Sequence, residues 1–298
     1  MGVRRENWTP WVQAARPRTL AAAIVPVVVG GAAATADGAF GWRAFILAMV
    51  GALAIQVAAN FANDVSDANR GADPDDRIGP RRMVASGLIS PRRMWMATWV
   101  AIAVATACGI GLALLVGPLV LLIGVASIVA MLGYVGGPVP YGYRGFGEVS
   151  VFLFFGLVAT TGSRYVHDGS VDRATWLLSV PVGLLATAIL VVNNLRDVHT
   201  DARVGKRTLA VVIGARATER LFLILLAGSY LIVTIGALAG FTTRWTLLAW
   251  LTAPISYRLA TNVAGTRDPS QLGPALGGTA RLHLLFGLLL AVGMLLGT

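Results

Sequence analysis

The sequence predicts an all-α membrane protein of about nine transmembrane helices in one bundle, with the N-terminus cytoplasmic and the C-terminus outside. Three observations carry this. The 298 residues are 56% hydrophobic and only 13% charged, with mean hydropathy +0.72, whereas ordinary soluble domains carry about 25% charged residues. Apolar runs near the length of a bilayer span recur from one end to the other. The basic residues sit between those runs. No linker or low-complexity segment divides the chain, so residues 1–298 are read as a single domain.

The spans follow in order. Leu20–Thr35 comes after basic residues and precedes Ala34-Thr35-Ala36, a cleavage-like pattern. A long polar segment precedes it and many spans follow, so an uncleaved first helix is expected. Ala44–Phe61 opens with a stretch free of charge as far as Ala59. Met94–Val116 and Pro118–Tyr134 form a pair joined at Gly117. Glu148–Gly162 follows a glycine-rich stretch, and Ala174–Leu195, Leu221–Gly240, Trp245–Thr261 and Leu282–Leu296 complete the set. Several are short for a bilayer of about 30 Å, so the helices are expected to continue into the polar loops.

Orientation comes from the basic residues. With the N-terminus inside, only Arg43, Arg164, Arg173 and Arg244 of the 24 basic residues fall outside. The net charge of +10 therefore reads as topology, and nucleic acid is not an expected partner. Lys206 is the only lysine; this and the wealth of Ala, Gly and Val point to a GC-rich bacterial genome, and the expected location is the bacterial cytoplasmic membrane. Cys108, the single cysteine, lies in an apolar run and is expected to pack there. His167, His199 and His283 are scattered, which gives haem or zinc no support.

Two polar loops carry the chemistry. In "NFANDVSDANRGAD", Asn60, Asp64 and Asp67 fall at i, i+4 and i+7, one helical face, with Asn63 beside them. In "NNLRDVHTDARVGKRT", Asn193, Asp197 and Asp201 fall at i, i+4 and i+8, with Asn194 alongside. Capping explains such residues at one helix end. Two matched stretches instead predict carboxylates converging on one cavity. Hard oxygen ligands without His or Cys select Mg²⁺ or Mn²⁺. Mg²⁺ prefers one or two carboxylates plus substrate phosphate oxygens. Arg81, Arg82, Lys206 and Arg207 are placed to take the remaining phosphate charge. The combination describes a diphosphate site. Asp75 and Asp76, in "PDDRIGP", read as turn residues.

"NDVSD" with "RDVHTD" resembles the paired aspartate motifs of the UbiA-type intramembrane aromatic prenyltransferases. "ARPRTL", "YVGGPVPYGYRGFGEVSVFLFFG" and "GKRTLA" make it similar to the branch that prenylates 1,4-dihydroxy-2-naphthoate. The resemblance covers essentially the whole chain. It implies a nine-helix bundle around a central cavity that opens to the membrane lipid. It implies Mg²⁺ held by Asp64, Asp67, Asp197 and Asp201, with Asn60, Asn63, Asn193 and Asn194 flanking. Lys206 and Arg207 match basic residues of the second loop, and Asp73 a further acidic position. The implied reaction joins a polyprenyl diphosphate to 1,4-dihydroxy-2-naphthoate, with loss of pyrophosphate and CO₂, on the cytoplasmic side. Tyr134, Tyr141, Tyr143 and Phe146 are candidates to line the aromatic or cation site, or belong to an interfacial belt. Arg16 and Arg18 are candidates for diphosphate or carboxylate contact, or for anchoring. Glu148 reads as a cap, a base or a substrate contact, with the structural role favoured. The competing readings are another branch, using 4-hydroxybenzoate or a different acceptor, and an ion-coupled transporter, since buried carboxylates also mark ion paths. The placement of the carboxylates at helix ends disfavours transport.

Overall fold

The computed structural model describes residues 9–71, 82–136, 140–266 and 268–297. The helices are α1 (Thr9–Ala15), α2 (Ala21–Ala36), α3 (Trp42–Asn69), α4 (Pro91–Val116), α5 (Leu119–Val135), α6 (Gly147–Val151), α7 (Ala159–Asp168), α8 (Arg173–Arg196), α9 (Val198–Arg203), α10 (Leu209–Ile213), α11 (Ala215–Leu238), α12 (Ala253–Gly265) and α13 (Gly273–Leu296). A π-helical segment, Phe152–Val158, joins α6 to α7, so Gly147–Asp168 runs as one span. There is no strand among the described residues.

Six helices are long and apolar enough to cross a membrane: α3, α4, Gly147–Asp168, α8, α11 and α13. A seventh arises if Thr9–Thr19 and Ala21–Ala36, bent by 52°, count together. The bend has a local cause. Arg16 precedes Pro17, which disfavours the α region for it, and Arg16 sits at φ 51. The expected span Pro118–Tyr134 is the shorter α5, of 17 residues. The expected span Trp245–Thr261 begins as a 3-10 helix, Arg244–Thr252, before continuing as α12. A 3-10 helix rises about 2.0 Å per residue against about 1.5 Å for an α-helix, so this segment covers more distance than its residue count suggests. As expected, α3 and α8 run past their apolar stretches, to Asn69 and Arg196.

The bundle is solid on one side and hollow on the other. Leu178, Val182 and Leu185 of α8 pack with Val25 and Val29 of α2, Phe222 of α11 and Phe286 and Leu290 of α13 in one large apolar core. On the other side α3, α4, α5 and Gly147–Asp168 surround open space. Gly156 and Gly183 bring the π segment against α8: a Cβ on Gly156 would lie 2.4 Å from the Gly183 Cα. The outer faces of α4 and α5 expose Val100, Leu114, Leu122 and Val129, Leu114 to 84%. A continuous apolar surface of this kind requires lipid as its solvent, and the molecule is an all-helical membrane protein.

The two ends of α8 are polar and about 36 Å apart by helix rise. At its start, buried Arg164 bonds Asp37 at 2.8 Å and Asp168 at 2.7 Å, and lies 3.6 Å from Asp172. Asp172 also caps α8 by accepting from Thr175 N at 2.8 Å. This ionic cluster ties the ends of α2 and α7 to the start of α8. Replacing Arg164 by Leu leaves those carboxylates without their shared cation. We expect the thermal midpoint in detergent to fall, at a cost of about 2 kcal/mol. Arg43→Leu, at an exposed position, should leave the midpoint unchanged.

Candidate active site

At the far end of α8 lies the polar end of the bundle. Asn60, on α3, donates both Nδ2 hydrogens, to Ala15 O at 2.8 Å and Thr19 Oγ1 at 3.2 Å. Its Oδ1 is thus the atom left to offer to a ligand. One turn further, Asp64 accepts from Val84 N at 2.8 Å and Met83 N at 3.2 Å, one amide on each oxygen. This pins the segment that carries Arg82. Arg82 Nη2 bonds Asp67 Oδ2 at 2.6 Å, and the Tyr143 hydroxyl bonds Asp67 Oδ1 at 2.5 Å. Asp64 and Asp67 are each 2% exposed.

The second stretch departs from the expected single helical face. Helix α8 ends at Arg196, and Asp197, at φ −92 and ψ 6, forms the junction to the short α9 that carries Asp201. The Asp201 amide still bonds Asp197 O at 2.8 Å, so the chain winds on through a kink. Arg196 forks onto Asp197, Nε to Oδ1 at 2.8 Å and Nη2 to Oδ2 at 2.7 Å, and also bonds Asn193 Oδ1 at 3.0 Å. Asn194 Nδ2 donates to Glu148 Oε1 at 2.9 Å.

Lys206 joins the two stretches. Its Nζ lies 4.0 Å from Asp67 Oδ2 and 4.0 Å from Asp201 Oδ1, so those oxygens are no further apart than the two distances combined. The ammonium also lies 5.0 Å from the Tyr143 ring centre, a cation–π distance. The sequence pairing of the two loops is therefore a spatial pairing.

A cavity of about 1160 Å³ opens from this polar end into the hollow side of the bundle. Its mouth includes Arg16, Asn60, Asn63, Asp64, Asp67, Arg82, Asn193, Asn194, Arg196 and Lys206. Its body is apolar and built of small, aliphatic and aromatic residues, among them Gly51, Ala52, Ile55, Cys108, Ile123, Phe154 and Phe155. Tyr134, Tyr141 and Arg18 also line it. Asp197 and Asp201 are buried but do not line the cavity; Arg196 and Lys206 form the wall there. Arg207 is exposed and away from the cavity, its amide bonded to Tyr143 O at 3.1 Å. Phe146 is 60% exposed, and Tyr143 does not line the cavity but bonds Asp67. Asp73, Asp75, Asp76 and Arg81 lie outside the described residues.

The donor set suits a hard divalent cation. Every candidate ligand is an oxygen, and Asn60 has no hydrogen left to turn toward the site. Among the described residues no three carboxylate, histidine or cysteine side chains form a ready metal cage. Arg82, Arg196 and Lys206 meanwhile compensate the buried carboxylates, which cannot be left unpaired.

Two participants were not picked out in the sequence. Arg196 was counted as a topological charge, because a neighbour at i+1 makes no helical pattern. Gln56 lines the cavity, buried, with Nε2 on Thr19 Oγ1 at 3.3 Å. It lies one turn before Asn60 on α3, and an amide in an apolar run at that spacing was the available signal.

The UbiA prenyltransferase family model matches residues 23–285. The 1,4-dihydroxy-2-naphthoate octaprenyltransferase of Mycobacterium tuberculosis is 41% identical, across 98% of this chain and 98% of that protein. The enzyme of that name from Escherichia coli is 37% identical, across 96% and 95%. Among solved structures, a UbiA homolog from Archaeoglobus fulgidus bound to DMAPP and Mg²⁺ superposes with TM-score 0.66 at 14% identity, covering 95% of this chain and 99% of that one.

The Asp64 bonds predict a measurable loss. Asp64→Asn keeps the shape but replaces one acceptor of the Met83 and Val84 amides by a donor. We expect a folded, extractable protein destabilised by about 1–3 kcal/mol. Proteolysis after Arg82 should be faster than in the parent.

Proposed function

The chain belongs to the UbiA prenyltransferase family, and on that premise we propose that it transfers a polyprenyl group from polyprenyl diphosphate to 1,4-dihydroxy-2-naphthoate. Pyrophosphate and CO₂ leave and demethylmenaquinol forms, a step of menaquinone biosynthesis. The full-length identity to enzymes of that name supports the acceptor. The observation that carries the chemistry is the cavity itself: paired aspartates and cations at the mouth, continuous with an apolar body.

Each part has a task in this reading. Arg82, Arg196 and Lys206, with Arg16, receive the diphosphate at the mouth. Asp64 and Asp67, with the flanking Asn60, Asn63 and Asn193, would hold Mg²⁺ from the cavity side, and Asp197 and Asp201, which stand behind Arg196 and Lys206, would complete its oxygen set. The bound ion acts as a Lewis acid on the departing pyrophosphate. The cations placed against that oxygen charge stabilise it as the allylic C–O bond breaks and the electron pair leaves with the pyrophosphate. The apolar body takes the prenyl chain and keeps water from the cation-like carbon, near Tyr134 and Tyr141. The ring carbon that bears the carboxyl group then bonds to that carbon, and loss of CO₂ returns the pair to the ring.

The membrane arrangement belongs to the same proposal: nine spans, N-terminus inside and C-terminus outside, in a bacterial cytoplasmic membrane. The mouth then faces the cytoplasm, where Mg²⁺ and the naphthoate are found, and the lipid-soluble donor enters from the bilayer. The counts of basic residues and the positions of α5 and α12 support this arrangement.

Purified protein in detergent, given Mg²⁺, polyprenyl diphosphate and a panel of acceptors, should prenylate dihydroxynaphthoate and leave 4-hydroxybenzoate unchanged, read as product mass. The opposite preference would overturn the acceptor assignment. Chelation by EDTA should stop turnover, and added Mg²⁺ restore it. Asp67→Asn or Asp197→Asn should lower kcat by about 10²-fold or more; turnover like the parent's in either would sink the role given to the aspartates.

A further inference from the structure

Glu148 is 5% exposed, and its Oε2 is buried with no hydrogen-bond partner among the described residues. Its Oε1 holds Asn194 Nδ2 at 2.9 Å. The Asn194 amide thus turns its nitrogen to Glu148. Its carbonyl oxygen is then the atom it offers to the cavity that it lines. No described residue donates to that oxygen, and it is not among the occluded orphan atoms. An acceptor is thus held open on the cavity wall, with its orientation fixed from behind by a buried acid.

The same wall is tight. A Cβ on Gly147 would stand 3.2 Å from both Leu190 Cδ2 and the Tyr134 hydroxyl oxygen. Tyr134 therefore presents a hydroxyl beside the residue preceding Glu148, on the cavity that both Tyr134 and Asn194 line. Donor and acceptor sit on one wall, at the border between polar mouth and apolar body.

An acceptor calls for a ligand with a donor. This inference rests on the prenyltransferase reading above. Within it, Mg²⁺ is assigned to the aspartates with Asn60, Asn63 and Asn193, and the polyprenyl diphosphate brings only phosphate acceptors and hydrocarbon, while the aromatic acceptor brings hydroxyls. The 1-hydroxyl of the naphthoate bonds internally to the neighbouring carboxylate, which leaves the 4-hydroxyl as the available donor. We propose that Asn194 Oδ1 accepts the 4-hydroxyl of the naphthoate and that Glu148 is the positioning residue which fixes that amide. Glu148 acts through Asn194 and takes no proton from the ring.

The test compares dihydroxynaphthoate with 1-hydroxy-2-naphthoate, which lacks the 4-hydroxyl. On the parent protein the monohydroxy compound, as a competitive ligand, should bind about tenfold more weakly. Glu148→Leu should raise KM for dihydroxynaphthoate about tenfold while leaving KM for the prenyl diphosphate and binding of the monohydroxy compound within about twofold. Glu148→Gln, which still offers an oxygen to Nδ2, should recover most of that loss. The proposal is overturned if Glu148→Leu weakens both ring compounds alike, or if Glu148→Gln abolishes kcat at unchanged KM, the mark of a base. If Glu148→Leu does not fold, the parent decides alone: equal affinity for the two ring compounds overturns it. A parent protein that forms no prenylated naphthoate at all overturns the functional reading instead, and shows it before any variant is made.

Discussion

The structure depends on how one buried carboxylate is compensated. Asp67, 2% exposed, holds the Arg82 guanidinium at 2.6 Å and the Tyr143 hydroxyl at 2.5 Å, with the Lys206 ammonium 4.0 Å away. Those partners come from the segment after α3, the turn before α6 and the loop after α9. A charge so deeply buried is strongly unfavourable unless paired, so four stretches of chain are required to meet at one point. Asp64 reinforces the meeting by fixing the backbone that carries Arg82. The cations that satisfy this requirement, Arg82 and Lys206, both line the cavity, so the pairing that buries Asp67 also places positive charge at the mouth.

Asymmetric packing supplies the rest. On the α2–α8–α11–α13 side, large apolar side chains fill the interior. On the α3–α4–α5 side small residues such as Gly51, Ala52, Ala105 and Gly124 stand among aliphatic ones along the wall, and the bundle remains hollow beneath the polar mouth. Gly156 and Gly183 let the π segment press against α8, and π turns recur where helices serve a site. Phe154 and Phe155 of that segment line the cavity. The rigid half holds α8, and α8 carries the second aspartate stretch at one end and the Arg164 cluster at the other.

Much of the site was legible in the residues. Asn60, Asp64 and Asp67 repeat at helical spacing because they lie on a helix, α3, that outlasts its apolar stretch. The match between the two loops announced a shared site because charges in an apolar chain need a reason. Arg196 was hidden because its partner is the adjacent residue, and Gln56 because one amide hardly disturbs hydropathy. Lys206 and Arg207 look equivalent in sequence, yet Lys206 lines the cavity and Arg207 is exposed away from it.

The sequence by itself determined the all-helical membrane class, the two aspartate stretches and the oxygen-only donor chemistry, because composition and helical period are local properties. Only the tertiary structure decided which cation compensates which carboxylate, where α8 breaks at Asp197, and that Glu148 fixes the Asn194 amide. Those depend on contacts between residues far apart in the chain, such as Tyr143 with Asp67 and Asn194 with Glu148. No local pattern encodes such pairs; burial in a medium without water forces each polar group to find its partner in space.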